Sequence, residues 1–147
     1  MNANAEKGKE KRTEPKLPKT EKKAVAADAK GKGKIAVVLI RSPIGVRHDM
    51  KMTLRLLNLF NQHNCIVVDD TPINMGMVKK LKDFVTFGPV SEETIKMLEK
   101  KNKIGEKTYK LDPPKGGFER KGIKMPYGKG GALGQRDNMD NLIKKMI

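Results

Sequence analysis

Asp69 and Asp70 stand side by side after the apolar run Cys65 to Val68. Paired carboxylates at a strand end are the raw material of general acid–base catalysis. Adjacent strand residues project to opposite faces, however, so this pair would not converge on one atom, and turn or cap chemistry is the better reading. His48 and His63 have no serine or cysteine nucleophile at a readable spacing, so a triad would need tertiary contact that the sequence does not show. Cys65, His48 and His63 are the whole cysteine and histidine inventory, too few for a structural zinc site. A single cysteine forms no intrachain disulfide and fits a reducing compartment.

The segment GKGGALGQR, Gly128 to Arg136, has the composition of a phosphate-cradling loop. A P-loop requires Gly-Lys-Ser/Thr after its last four-residue spacer, and Gly134 is followed by Gln135. A dinucleotide fingerprint requires glycine where Leu133 stands, and a preceding strand. Neither nucleotide motif is met, and no cofactor is expected. Bare glycine N–H groups, as at Gly130 and Gly131, could sit against a nucleic-acid phosphate. A flexible linker explains the same residues equally well.

What remains is cationic chemistry. Arg41, Arg47, Lys51 and Arg55 crowd one loop and helix entrance, and Lys79, Lys80 and Lys82 mark a second helix. Lys115, Arg120, Lys121, Lys124, Lys129 and Arg136 extend the charge along a Gly/Pro-rich arm. Any one such cluster is ordinarily just solvated surface; the arrangement is what points to a polyanion. The chain holds 32 Lys and Arg against 17 Asp and Glu, for a net charge of +15. Residues 1–34 carry +6, residues 100–147 carry +8, and residues 35–99 only +1. Nucleic acid is the leading partner of such a chain. The basic segments lack the apolar face of a membrane anchor, and no apolar run approaches the roughly 20 residues that span a bilayer. The N-terminus has no apolar core of a secretory signal. With no Trp, four Phe and two Tyr, aromatic stacking is not expected to be the main binding mode, and phosphate contact and shape are expected to carry it.

These residues need elements to hold them. IAVVLIR (35–41) is a continuous β-branched and aliphatic run, the signature of a buried central strand, broken by Ser42-Pro43-Ile44-Gly45. Asp49 is positioned to cap a helix to about Gln62, with Met50, Leu54, Leu57 and Phe60 as its apolar stripe, widened by Met52, Leu56 and Leu59. CIVV (65–68) is a second strand. Thr71 caps the next helix, with Pro72 in its first turn and Ile73, Met77, Leu81 and Phe84 facing the core. Gly76 interrupts it at a cost of about 1 kcal/mol, which close approach to a neighbour would justify. Residues 84–90 form a third strand, weakened by Gly88 and Pro89 and therefore expected at an edge. Ser91 caps a last core helix, with Glu92 and Glu93 placed against its dipole. Asp137 is expected to cap a closing helix burying Met139, Leu142, Ile143 and Met146. The expected fold is α+β: a small three-stranded β-α-β-α-β sheet with its helices on one face. Three regions follow: a basic flexible tail (1–34), a core domain (35–100) and a basic Gly/Pro-rich extended arm ending in a short helix (101–147).

IRSPIGVR (40–47), TLRLLNL (53–59), VVDDTP (67–72) and GMVKKLKDFV (76–85) together closely resemble the ribosomal protein L thirty family of the large subunit. Pro113-Pro114 with Lys115-Gly116-Gly117-Phe118, then GIKMPYGKGGALGQR (122–136) and NLIKKMI (141–147), resembles the C-terminal extension of its archaeal and eukaryotic branch. Asp112 and Gln135 depart from that branch, which usually has His before the proline pair and an aromatic after the GGALG glycine. The segment between Lys101 and Leu111 is also shorter than usual.

The resemblance implies a non-catalytic structural constituent of the large ribosomal subunit in the cytoplasm. Its partners would be large-subunit rRNA near 5S rRNA and neighbouring ribosomal proteins, with no membrane and no small-molecule substrate. It implies RNA contact by the strand-end loop Arg41, Ser42, Gly45 and Arg47, and by the helix start from Thr71-Pro72 to Gly76-Met77. Two other classes suit the composition. One is a general RNA chaperone or DNA-compacting protein, which would bind duplex DNA as well. The other is a small α+β enzyme built on Asp69, Asp70 and His63.

Overall fold

The computed structural model describes residues 33–147 except 102 and 106. The expected basic tail, save for its last two residues, lies outside the described residues.

Three strands form the centre of the sheet: β1 (Lys34–Leu39), β2 (Asn64–Asp69) and β3 (Val85–Pro89). Two short strands from the C-terminal segment complete it, β4 (Thr108–Lys110) and β5 (Gly134–Gln135), giving the order β4-β2-β1-β3-β5. The central pairs are antiparallel, with Lys34 opposite Asp69, Val38 opposite both Cys65 and Thr86, and Leu39 opposite Val85. The α+β class holds, with five strands in place of three. β3 is not an edge: β5 pairs with it in parallel, Thr86 opposite Gly134. Gly88 makes that possible, because a Cβ there would collide with the Arg136 backbone carbonyl. The glycine that weakens the strand by propensity is what lets the arm lie against it.

The helices are α1 (His48–Leu56), α2 (Pro72–Lys80), α3 (Glu92–Glu99) and α4 (Asp140–Met146). They cover both faces of the sheet, not one. Alternate β1 residues Ile35, Val37 and Leu39 join Leu54 and Leu57 at the α1 end and Val78 and Leu81 at the α2 end. Ala36 and Val38, with Cys65 and Val67 of β2, pack on the other face against Ile95 and Leu98 of α3 and Leu142, Ile143 and Met146 of α4. Double coverage is why β1 reads as an unbroken apolar run instead of an alternating one.

Local capping follows the sequence where the cap is a side chain. Thr71 Oγ1 accepts from the Asn74 N–H at 3.3 Å, and Ser91 Oγ accepts from the Thr94 N–H at 3.4 Å. Asp49 is not a cap: α1 starts one residue earlier at His48, and Asp49 lies in its first turn. Asp137 is likewise outside α4, which begins at Asp140 behind Met139. The helix apolar stripes need correcting at their margins. Asn58 adopts φ 54°, which ends the helical path after Leu57 and sends Phe60 outward at 53% exposure. Leu56 is 72% and Met52 43% exposed. Of the expected α2 stripe, Met77, Leu81 and Phe84 do pack on the core, joined by Met75 and Val78, and only Ile73 faces solvent.

The C-terminal segment is not extended. It pairs through β4, turns through a 3-10 turn at Tyr127–Lys129, and pairs again through β5 before α4 closes over the sheet. Ala132 and Leu133 are buried against Ile40, directly after β1.

Candidate nucleic-acid interface

Antiparallel register gives the sheet two distinct ends, one at Lys34, Asp69 and Pro89, the other at Leu39, Cys65 and Val85. Acids outnumber cations at the first, which also holds Lys34 and Lys107. Asp69 ends β2 opposite Lys34, the Asp70 N–H donates to the Gly33 carbonyl at 2.9 Å, and Asp140 Oδ1 accepts from the Ser91 N–H at 3.0 Å beside Glu92. Burial alone would push the Asp140 carboxyl up. Hydrogen bonds from the Ser91 backbone and from the Thr94, Ser91 and Asn138 side chains outweigh that and hold it below its ordinary value.

Cations collect at the second end. The Arg41 N–H donates to the Phe84 carbonyl and Arg41 Nη1 to the Asp83 carbonyl, both at 3.1 Å, and its guanidinium lies 5.0 Å from the Phe84 ring centroid. These contacts lock the strand-end loop against the turn between α2 and β3, so Arg41 and Lys82 become neighbours. Lys124 joins them from the C-terminal segment around a cavity of about 480 Å³. Lys79 and Lys80 end α2 on the same side, both exposed. The α4 terminus adds Lys144 and Lys145: the Lys115 N–H donates to the Lys145 carbonyl at 2.9 Å, and the Asp112 N–H to the Met146 carbonyl at 3.0 Å. Among the described residues four acids lie at or beside this end, two of them Asp49, paired with Arg47 near Lys80, and Glu119, paired with Arg136 near Lys145. Asp112 is paired with Lys101 at 2.8 Å, and Asp83 is an exposed residue of the cavity lining.

In the loop itself, Gly45 has φ +74°, the turn geometry its position predicts, and Ser42 Oγ accepts from the Ile44 N–H at 3.4 Å. Arg47 is exposed and paired with Asp49 at 2.6 Å. The hydrogen bond and charge of Arg47 hold the Asp49 carboxyl below its ordinary value, and Lys80 adds to this, which puts the α1 start within electrostatic reach of the α2 end. Lys51 and Arg55 are exposed on α1.

The sequence-derived site does not assemble as one patch. Thr71 and Pro72 begin α2 beside Asp69 and Asp70, at the acidic end; α2 is nine residues long, so about 13 Å of helix separates them from Lys80. Gly76 is exposed midway, and a Cβ there would meet nothing within 4 Å. Among the described residues no neighbour explains it, which overturns the packing reading. Met77 is half-buried against the α1–α2 side of the core.

Two residues leave the candidate set. Arg136 is 5% exposed: its Nε donates to Thr86 Oγ1 at 2.8 Å, Nη2 to the Ala132 carbonyl at 3.1 Å and Nη1 to Glu119, while Tyr127 packs 4.6 Å from the guanidinium. It holds the segment to the sheet and presents no charge outward. Gly131 is buried where a Cβ would overlap the Met125 carbonyl, so it is a packing glycine. Arg120, Lys121, Lys124, Lys129 and Gly130 are exposed, and the Lys121 aliphatic stem lies along Gly130. Lys144 and Lys145 escaped the sequence reading because α4 shows itself first as an apolar face. The polar positions between Ile143 and Met146 were the available signal.

A family model described as Ribosomal protein L30p/L7e matches residues 35–85, from β1 to the first residue of β3. The chain is 34% identical to the large ribosomal subunit protein uL30 of Methanopyrus kandleri over 149 aligned positions, covering 74% of this chain and all of that protein. The chain belongs to the ribosomal protein L30p/L7e family. The uL30 proteins of Methanococcus maripaludis and Methanococcus vannielii are 29% and 31% identical, each over 76% of this chain and 98% of their own length. Family likeness therefore extends well past the core match. The L30p/L7e family is structural and non-enzymatic, so no acid–base role falls to the adjacent Asp69 and Asp70; they stand in the β2–α2 turn, where the Asp69 main-chain carbonyl accepts from Asn74 Nδ2 at 2.9 Å and from the Thr71 N–H at 2.8 Å. Among the described residues no helix is long and apolar enough to cross a membrane.

Proposed function

We propose that the protein is a structural constituent of the large ribosomal subunit, binding large-subunit rRNA beside 5S rRNA in the cytoplasmic ribosome, with neighbouring ribosomal proteins on its other surfaces. The observation that carries this reading is the electrical polarity of the sheet. Arg41, Lys79, Lys80, Lys82, Lys124 and Lys145 project from one end, while at the other Asp69, Asp70, Glu92, Glu99 and Asp140 outnumber Lys34 and Lys107. A polarised domain orients itself on a polyanion: the basic end faces phosphate and the acidic end faces away. Membership of the L30p/L7e family, and the identity of the archaeal relatives as large-subunit proteins, support the assignment to the large subunit.

The rRNA-facing set is the loop Arg41, Ser42, Gly45 and Arg47, with Lys51 and Arg55 on α1, Lys79 and Lys80 on α2, and Lys115, Arg120, Lys121, Lys124 and Lys129 on the C-terminal segment. Exposed Gly76 offers bare backbone to a phosphate. Contact with about 6–10 phosphates gives a slope of log affinity against log salt between about −4 and −9 for an rRNA fragment. A slope near −1 would overturn the reading, and equal affinity for duplex DNA would replace it with general polyanion binding. Co-sedimentation with large subunits in high salt tests the assembly claim, and zero-length cross-linking to 5S rRNA tests the location.

A further inference from the structure

The cavity between the strand-end loop and the C-terminal segment is more than a place where cations meet. Its volume of about 480 Å³ lies within the range of ligand pockets. Three cations, Arg41, Lys82 and Lys124, share its lining with three apolar groups, Phe84, Pro126 and Leu133. A surface built only to neutralise phosphate has no use for apolar walls. Arg41 is also fixed: Nη1 is held by the Asp83 carbonyl at 3.1 Å, and one side of the guanidinium rests on the Phe84 ring at 5.0 Å. Arg41 as a whole is only half-buried, so the planar group is pre-aligned and still reachable.

We propose that this cavity receives a single unstacked RNA nucleotide, its base against the Arg41 guanidinium and the apolar wall, its flanking phosphates on Lys82 and Lys124. Unpaired bases splayed out of RNA stack on guanidinium planes as they do on aromatic rings. Holding Arg41 in place before binding removes part of the ordering cost. Asp83, an exposed residue of the lining, carries an acceptor-only carboxylate, which suits a base with an exocyclic amine, such as adenine. The site spans the core and the C-terminal segment, so it exists only because Ala132 and Leu133 are packed against Ile40. The proposal rests on the RNA-binding reading above.

The test uses the full chain and two fluorescein-labelled ribose heptamers, one abasic at every position except a central adenosine (the intact strand) and one abasic throughout. Phosphate count is identical, so only the base differs. The intact strand is expected to bind about tenfold more tightly, the scale of one stacked base. Arg41→Lys keeps the charge but removes the plane; it should bring the intact strand to the abasic level without changing the salt slope. Lys82→Met with Lys124→Met should weaken both strands alike. Equal affinity of the unmodified protein for the two strands would overturn the proposal, and needs no variant to fold. So would an intact-over-abasic preference that survives in Arg41→Lys. An rRNA fragment measured alongside separates the two claims: retained rRNA binding with no base preference removes only the cavity's occupant, whereas loss of rRNA binding removes the reading beneath it.

Discussion

The Arg136 guanidinium is paired with the Glu119 carboxylate inside the C-terminal segment, and the same guanidinium reaches Thr86 on β3. One buried cation thus ties two parts of the segment, 17 residues apart, to the central sheet. The pair's value is conditional, because a buried ion costs desolvation that only its partner offsets. Glu119→Ala leaves the guanidinium buried without its carboxylate and should cost about 3 kcal/mol. Arg136→Met, which removes the charge and keeps an apolar stem beside Tyr127, should cost less. Urea unfolding of both variants decides the order; equal or reversed losses would show that the carboxylate is not what makes Arg136 tolerable.

Acid should loosen the same contact. Burial pushes the Glu119 carboxyl up, but the Arg136 hydrogen bond, a bond within its own residue's backbone, and the charges of Arg136 and Lys145 outweigh that and hold it below its ordinary value of 4.5. A depressed folded value means that the unfolded chain takes up the proton first. Stability from Glu119 is therefore fully present above about pH 5 and is lost as pH falls through the folded value, with Asp140 contributing in the same direction. Melting temperature should fall between pH 5 and 3, and Glu119→Gln should flatten part of that fall. An unchanged profile in the variant would remove Glu119 from the account. Asp49 and Asp112, both exposed, should add little.

The sequence was most legible where structure is decided locally. Thr71 and Ser91 announce their helices because a hydroxyl cap needs only the next three residues, and both bonds form. β1 is legible because a doubly covered strand is apolar at every position. What could not be read depends on distant partners. Thr108–Lys110 and Gly134–Gln135 are strands only because β2 and β3 lie beside them. In the site, exposed lysines in loops and on polar helix arcs were readable. Arg136 was not, since a cation in a Gly-rich run reads as solvated until Glu119 and Thr86 are placed around it. Nor was the separation of Thr71 from Lys80 into opposite electrical ends, which follows from strand order.

Cys65 offers a direct readout of how firmly α3 and α4 cover the sheet. It is fully buried beside Ala36, Val38 and Met139, and burial pushes its thiol up to about 12. Alkylation requires an accessible thiolate, so the native protein should react with iodoacetamide only through opening. Labelling at pH 8 should be slower than in urea by roughly the equilibrium constant for opening, and Glu119→Ala should accelerate it. Native labelling as fast as in urea would mean that α4 is not docked in solution.

Gly88 and Gly76 separate a glycine required by the fold from one the fold does not need. At Gly88 a Cβ would strike the Arg136 carbonyl, and backbone cannot swing aside as a side chain can. Gly88→Ala should cost about 1–3 kcal/mol and weaken the β3–β5 pairing. At Gly76 the space beyond the backbone is open, so Gly76→Ala meets no obstacle and gains helix propensity, about 1 kcal/mol of added stability. If the bare backbone of α2 lies against an rRNA phosphate, the same methyl must push that phosphate away. The expected result is a protein that unfolds at higher urea and binds its rRNA fragment more weakly, two opposite effects from one carbon. Gain in stability with unchanged affinity would leave Gly76 outside the RNA contact, and loss of stability would contradict the open space beside it.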